Sequence, residues 1–354
     1  MRSKLNSIQV LRAYAALSVM VGHAILEAMT NHGVDPERFN EFPFIAGVDI
    51  FFVISGFIMY HTSASDFGEP GGAHKFLWRR FIRVVPLYWA FTSLMVVTLV
   101  FLSGSVRSTE LEWWNVISSY LFIPSARESG KVVPILSLGW TLNYEIFFYV
   151  LFAAAMAFNR KVGVVVLLAF VAAFSIIGAV FQPSWAPMAF WTNSIILEFG
   201  FGVILAVYFD HIRRYAGILC CYILFIVGFV LLVFLSDTAP DLPRFIKGGI
   251  PAAIILCGCL TVPNTADARI PKFLLLLGDS SFALYLCHRF VMRPLTIFMG
   301  DAGGENFLIS IAIYVIATTT ISSIVAIVVF KYFETPLIKF LRSRSLGIKE
   351  IKPT

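Results

Sequence analysis

Apolar residues in this chain gather into ten runs of about 20, separated by polar segments. A helix of that length, at about 1.5 Å per residue, crosses roughly 30 Å, the thickness of a bilayer's hydrocarbon core. In lipid every backbone N–H and C=O must be satisfied within the protein, so helices and closed barrels are the two solutions. The alternating pattern of barrel strands is absent from the sequence. The chain therefore reads as all-α, a polytopic integral membrane protein with ten transmembrane helices. They are expected at 7–29, 44–62, 78–102, 135–158, 162–181, 188–208, 215–235, 247–263, 273–298 and 307–331. Composition agrees: 14% of the 354 residues are charged, against roughly 25% in soluble proteins. Pro86 and Pro294 fall inside spans and are expected to kink them.

Charge sets the orientation. With the N-terminus inside, 18 of the 27 basic residues fall in inner segments, 6 in outer ones, and Arg12, Arg289 and Arg293 within spans. That bias predicts that both termini are cytoplasmic in the cell's inner (plasma) membrane. It also accounts for the net charge of +6 without any nucleic acid. A single transmembrane domain over 1–336 is expected, followed by a basic cytoplasmic tail, 337–354, lying along the anionic inner leaflet. The first span is too long for a signal-peptide core, carries Arg12 and His23, and lacks a clean cleavage site. The longest outer loop, 103–134, has room for a re-entrant or interfacial helix around Trp113 and Trp114. All five cysteines fall within spans and form neither a disulfide framework nor a zinc pattern, so no metal is expected.

The informative residues are those that hydrocarbon should exclude. Arg12 and His23 share a face of the first span, roughly 16 Å apart along its axis. His23, Asp49, Glu145 and His288 come from four spans and reach similar depth in the outer half, with Arg289 and Arg293 following His288. Ionisable groups gathered at one level imply a shared hydrated cavity. Each also has a plainer reading. His23 can be a structural interhelical hydrogen bond. Asp49 can cap the second span. His288 and Arg289 are near enough to the surface to snorkel. Glu145 lies too deep to be a cap. On the inner side, Arg80 and Arg83 share a face at a helix start, where dipole and guanidinium donors together suit a phosphate. The plainer reading there is a positive-inside flank.

Six stretches, in order, resemble the membrane acyltransferase-3 family, particularly its exopolysaccharide and lipopolysaccharide O-acetyltransferase branch. They are Ile8-Gln-Val-Leu-Arg12 with His23; Gly47-Val-Asp49-Ile-Phe-Phe-Val-Ile-Ser55-Gly56-Phe57; Arg80-Phe-Ile-Arg83-Val-Val-Pro86-Leu-Tyr88-Trp89; Ser137-Leu-Gly-Trp140-Thr-Leu-Asn-Tyr-Glu145; Gly278-Asp-Ser-Ser281-Phe-Ala-Leu-Tyr285-Leu-Cys-His288; and Tyr332-Phe-Glu334-Thr-Pro336. Phe282 and Thr141 stand where Tyr and Ser are more frequent in the family. The resemblance implies transfer of an acyl group, acetyl above all, from cytoplasmic acyl-CoA to an extracytoplasmic acceptor, a polysaccharide or lipid-linked glycan. It implies an essential Arg12 and His23, and a donor-binding pair in Arg80 and Arg83. With the chain ending soon after the tenth span, the esterase-like extra domain of some relatives is not expected.

Joined to the residue reading, this gives one expected mechanism. Arg80, Arg83 and Arg12 hold the phosphates of acyl-CoA, and the pantetheine arm delivers the thioester toward His23. His23 acts as general base on an acceptor hydroxyl, with Glu145 first and Asp49 second as the carboxylate that orients it. His288 or Tyr285 donates to the oxyanion or the acceptor. A competing reading is a proton-coupled transporter or flippase of a polysaccharide intermediate, supported by the intramembrane ionisable set. A third is a non-catalytic partner of a polysaccharide assembly machine.

Overall fold

The computed structural model describes residues 5–35, 39–102, 110–299 and 307–345. Among them every regular element is helical, and an isolated bridge joins Ala126 and Val132. The principal helices are α1 (Asn6–Asn31), α2 (Gly47–Ser63), α3 (Gly72–Phe101), α4 (Trp113–Tyr120), α5 (Trp140–Ala155), α6 (Arg160–Phe181), α7 (Leu197–Val207), α8 (Ile218–Thr238), α9 (Ile250–Leu260), α10 (Lys272–Asp279), α11 (Ser281–Met299), α12 (Phe307–Val329) and α13 (Thr335–Ser345). The basic residues Arg2, Lys4, Arg38, Arg107, Lys349 and Lys352, and the tail beyond Ser345, lie outside the described residues.

The expected count of ten spans is not reproduced as such. Seven helices among the described residues are long and apolar enough to cross a bilayer, and eight if the bent pair α10–α11 is one span. The expected spans at 188–208 and 247–263 fall short because local chemistry interrupts them. In the first, Asn193 accepts a hydrogen bond from the Ile195 N–H and starts a new helix, leaving Ser194–Val207 at roughly 21 Å. In the second, Phe245–Gly249 is a turn of π-helix that runs directly into α9. The span expected at 273–298 bends by 71° between α10 and α11, where the Ser280 hydroxyl bonds back to the Leu276 carbonyl at 2.9 Å. Pro86 and Pro294 lie within the continuous helices α3 and α11.

The core is aromatic. Phe199 of α7 stacks on Phe52 of α2 at 4.6 Å and on Phe148 of α5 at 4.7 Å between ring centroids. The outer flanks are apolar and uncovered: Val165 and Ile176 on α6 and Leu219 and Ile226 on α8 are exposed. Such surfaces suit hydrocarbon as their solvent. The loop helix expected around Trp113 and Trp114 is α4, with both indoles exposed.

Between helices inside a bilayer, close approach through small residues takes the place of a hydrophobic driving force. α2 and α7 cross in this way. A methyl group added at Gly56 would strike the Phe199 carbonyl, and one added at Gly202 would strike that of Val53. Gly56→Ala is expected to cost about 1–3 kcal/mol, the usual penalty of overpacking a tight contact. The check is the thermal midpoint of the detergent-solubilised protein. Gly217→Ala, whose methyl would meet no heavy atom nearer than 3.9 Å, is the matched control.

Candidate active site

Helices α1, α2, α3, α5 and α11 enclose a cavity of about 220 Å³. Arg12 and Gln9 enter it from α1, Ser55 from α2, Arg80 and Arg83 from α3, Glu145 and Tyr149 from α5, and Phe282 and Tyr285 from α11. The three guanidiniums are held but not saturated. Arg12 reaches Gln9 at 3.4 Å, Arg80 donates to the Thr62 hydroxyl at 3.1 Å, and Arg83 pairs with Glu334. Arg80 also lies over the Phe76 ring and Arg83 over that of Phe282. Glu145 accepts from Ser55 at 2.9 Å and from Tyr149 at 2.5 Å. Three cations facing one cavity-lining carboxylate make a site for an anion with several acceptor oxygens.

His23 lies farther along α1. Its partner is His288: Nδ1 of His23 and Nε2 of His288 are 3.0 Å apart, and the rings stack at 5.3 Å. His288 is fully buried, and its Nδ1 lies 3.1 Å from the Leu284 carbonyl. A carbonyl only accepts, so the neutral His288 carries its proton on Nδ1 and presents a bare Nε2. His23 must then donate from Nδ1, which leaves the lone pair on its own Nε2. One backbone carbonyl thus sets the tautomer of both rings.

This geometry places four of the expected residues otherwise. His23 is oriented by His288 and not by Glu145, because Glu145 belongs to the arginine cavity and is engaged by Ser55 and Tyr149. Asp49 does not serve His23 either. It is fully buried in the first turn of α2 and accepts two hydrogen bonds from Arg244, from Nε at 3.0 Å and from Nη2 at 2.8 Å. His288 neither snorkels nor has a free donor, since both its nitrogens are used. The Tyr285 hydroxyl is likewise engaged, donating to the Leu138 carbonyl at 3.0 Å and accepting from Thr141 at 3.1 Å. Its ring is 6.2 Å from that of His288, so Tyr285 bridges the arginine cavity and the histidine pair.

A second cavity, of about 1020 Å³, lies on the other side of the pair, with Glu27, Arg289 and Arg293 on its wall. Along α1 the order is Arg12, His23, Glu27, and along α11 it is Tyr285, His288, Arg289. The histidine pair therefore stands between two cavities. Among the described residues no His, Cys, Asp and Glu cluster could hold a metal ion.

Sequence reasoning missed Glu334, Arg244 and Glu198 as partners. Glu198 is a fully buried carboxyl in an expected span, and the rule that singled out Glu145 would have found it. Arg244 falls between two expected spans, where it reads as one of the six outer basic residues, and no local pattern ties it to Asp49.

A helical membrane protein with an arginine-lined cavity beside a tautomer-fixed imidazole has the parts of a group-transfer enzyme with an anionic donor. The chain matches the acyltransferase-3 family model, described as an acyltransferase domain, over residues 5–327, and it belongs to that family. It is 30% identical over 302 residues to the exopolysaccharide production protein ExoZ of Rhizobium meliloti (strain 1021), covering 84% of this chain and 91% of that protein. No solved structure matches it. Family and apolar helices together make it a multi-pass membrane acyltransferase.

Proposed function

We propose that the protein transfers an acetyl group from cytoplasmic acetyl-CoA to a hydroxyl of an extracytoplasmic glycan, in the inner membrane and with both termini in the cytoplasm. The observation that carries this reading is the hydrogen-bonded chain from the Leu284 carbonyl through His288 to His23, standing between an arginine cavity and a second cavity. The relative's role in exopolysaccharide production supports an exopolysaccharide-type acceptor.

Arg80, Arg83 and Arg12 bind the donor's phosphates, and Glu145 and Glu334 space the guanidiniums until the donor arrives. The pantetheine arm, long and thin, suits the roughly 16 Å between Arg12 and His23. His23 Nε2 takes the proton of the acceptor hydroxyl as the oxygen attacks the thioester carbonyl. The C–S bond breaks, and the thiolate recovers the proton from the imidazolium. His288 accepts the His23 Nδ1–H throughout and holds the ring in place, the part a carboxylate plays in other triads.

The double substitution Arg80→Gln/Arg83→Gln is expected to weaken acetyl-CoA binding at least tenfold, since a hydrogen bond to a charged group contributes about 1.5–3 kcal/mol. Calorimetric titration of the purified protein gives the answer, and an unchanged Kd removes the pair from the donor site. Labelled acetyl-CoA supplied to membrane vesicles separates transfer from transport. The label moves to glycan in the first case, whereas a carrier moves glycan without covalent change.

A further inference from the structure

We propose that the end of the arginine cavity opposite Arg80 and Arg83 seats the acyl group, and that Phe51, braced against Tyr285, limits that group to short, uncharged chains. This rests on the placement of the donor's phosphates at Arg12, Arg80 and Arg83 and names the side chains that restrict what is transferred. α2 lines the cavity with Val48, Phe51, Phe52, Ser55 and Ile58, which recur every three or four residues on one face. From Val48 to Ile58 that face runs about 15 Å along the axis. Three helices agree on a polarity along it. At one end Ser55 of α2 meets Glu145 of α5, Arg80 reaches Thr62 in the last turns of α2, and Phe282 of α11 lies beneath Arg83. The other end is walled by Val48, Phe51 and Phe52 from α2, Thr141 and Leu142 from α5, and Tyr285 from α11. That is also the end nearer the histidine pair, through Tyr285.

The walls of this end are fixed. Tyr285 is pinned through its hydroxyl by the Leu138 carbonyl and Thr141, and Phe51 meets its ring edge-on with centroids 6.4 Å apart. Beside Phe51, the buried Phe52 is packed among Trp140, Tyr144 and Phe199. Moving either neighbour of Phe51 aside breaks hydrogen bonds or core ring contacts. The whole cavity, about 220 Å³, is smaller than the roughly 300–1,000 Å³ usual for small-molecule sites. An arm that fills its length leaves little space for a chain beyond the carbonyl. In such a pocket one methylene too many lowers selection by about 10–200-fold. Charge is refused for a separate reason. The polar side chains described at this end are Thr141 and Tyr285, and they are engaged with each other. Arg244 and Arg289 act on Tyr285 from beyond the wall, but Arg244 is bound to Asp49 and Arg289 lines the second cavity. A carboxylate at the end of an acyl chain would be buried here without a partner, which is costly.

The test is calorimetric titration of the purified full-length protein in detergent with acetyl-CoA, butyryl-CoA, succinyl-CoA and coenzyme A itself. Acetyl-CoA is expected to bind at least tenfold more tightly than butyryl-CoA or succinyl-CoA. Phe51→Ala should bring butyryl-CoA within threefold of acetyl-CoA while succinyl-CoA stays weak, because the enlarged seat is still apolar. Phe51→Leu removes less volume and should give an intermediate ratio. It also decides the matter if the thermal midpoint shows that Phe51→Ala does not fold. Coenzyme A should bind the folded variants as it binds the parent protein. Equal affinity of the parent for acetyl-CoA and either longer donor overturns the proposal, and so does a parental butyryl-to-acetyl ratio in the folded Phe51 variants. Binding of none of the four removes the donor site and the acyl seat together. Failure of the acceptor reading is seen separately, as labelled acetyl-CoA that binds with the expected preference but leaves no label on glycan.

Discussion

His23→Ala is expected to leave a folded, membrane-inserted protein that binds acetyl-CoA but no longer acetylates glycan. The imidazole is half-buried and faces a second histidine, so its loss removes little packing. What goes is the lone pair on Nε2. A positioned general base contributes about 10²–10⁴-fold, and the residual rate should fall by that much or more. Glycan acetylation by purified protein, set beside acetyl-CoA affinity, is the measurement, and wild-type acetylation by His23→Ala excludes the base role. His288 separates orientation from chemistry. A glutamine there offers an amide oxygen to the His23 Nδ1–H, whereas a leucine of similar bulk offers nothing. His288→Gln should therefore retain more activity than His288→Leu, with the loss in kcat rather than KM. Equal activity of His288→Leu and the parent protein would remove His288 as a positioning residue.

Much of this arrangement was legible in the sequence, and the illegible part has a physical reason. Helices, their approximate ends and the gathering of Arg12 with Arg80 and Arg83 follow from hydropathy, spacing and resemblance to a family, whereas Glu145, expected beside His23, joins the arginines instead. The pairing of side chains does not. Asp49, Glu145 and His288 are each the right type to orient His23, and depth counted along helices cannot choose among them. The choice is made by helix rotation and crossing, set by contacts such as Gly56 against the Phe199 backbone, and by the 71° bend that begins α11 and aims His288 across at α1. Span length failed for a related reason. Ser194–Val207 and Phe245–Leu260 are apolar helices too, but Asn193 caps a new helix start in the first and the second begins only at the π-helical turn that holds Gly248 and Gly249. The glycines lie against carboxylates: a Cβ at Gly248 would strike Asp49, and one at Gly249 would meet Glu198.

That same contact leads to the largest stability effect expected. Arg244 is the cation that Asp49 holds through two hydrogen bonds, and it also lies over the Trp140 and Phe42 rings. Glu198, fully buried, lies beside Asp49. Arg244→Ala therefore leaves two carboxyl groups facing each other in the interior with no cation. Removing one partner of a buried pair costs about 3–5 kcal/mol, and the lower end applies because the Arg244 side chain keeps 23% of its exposure. Arg244→Lys should recover only part, since an ammonium cannot span both carboxylate oxygens of Asp49. The double substitution Asp49→Asn/Arg244→Met should be far less damaging than the sum of its parts, because it removes both charges together and refills the volume. Thermal midpoints of these proteins and of the single substitutions Asp49→Asn and Arg244→Met, all in one detergent, decide the matter. If Arg244→Ala matches its parent, the pair does not hold the start of α2 to the π-helical turn. If the losses simply add, Asp49 and Arg244 act separately, and the first turn of α2 is held in place by packing such as that of Gly47 against the Ala15 backbone of α1.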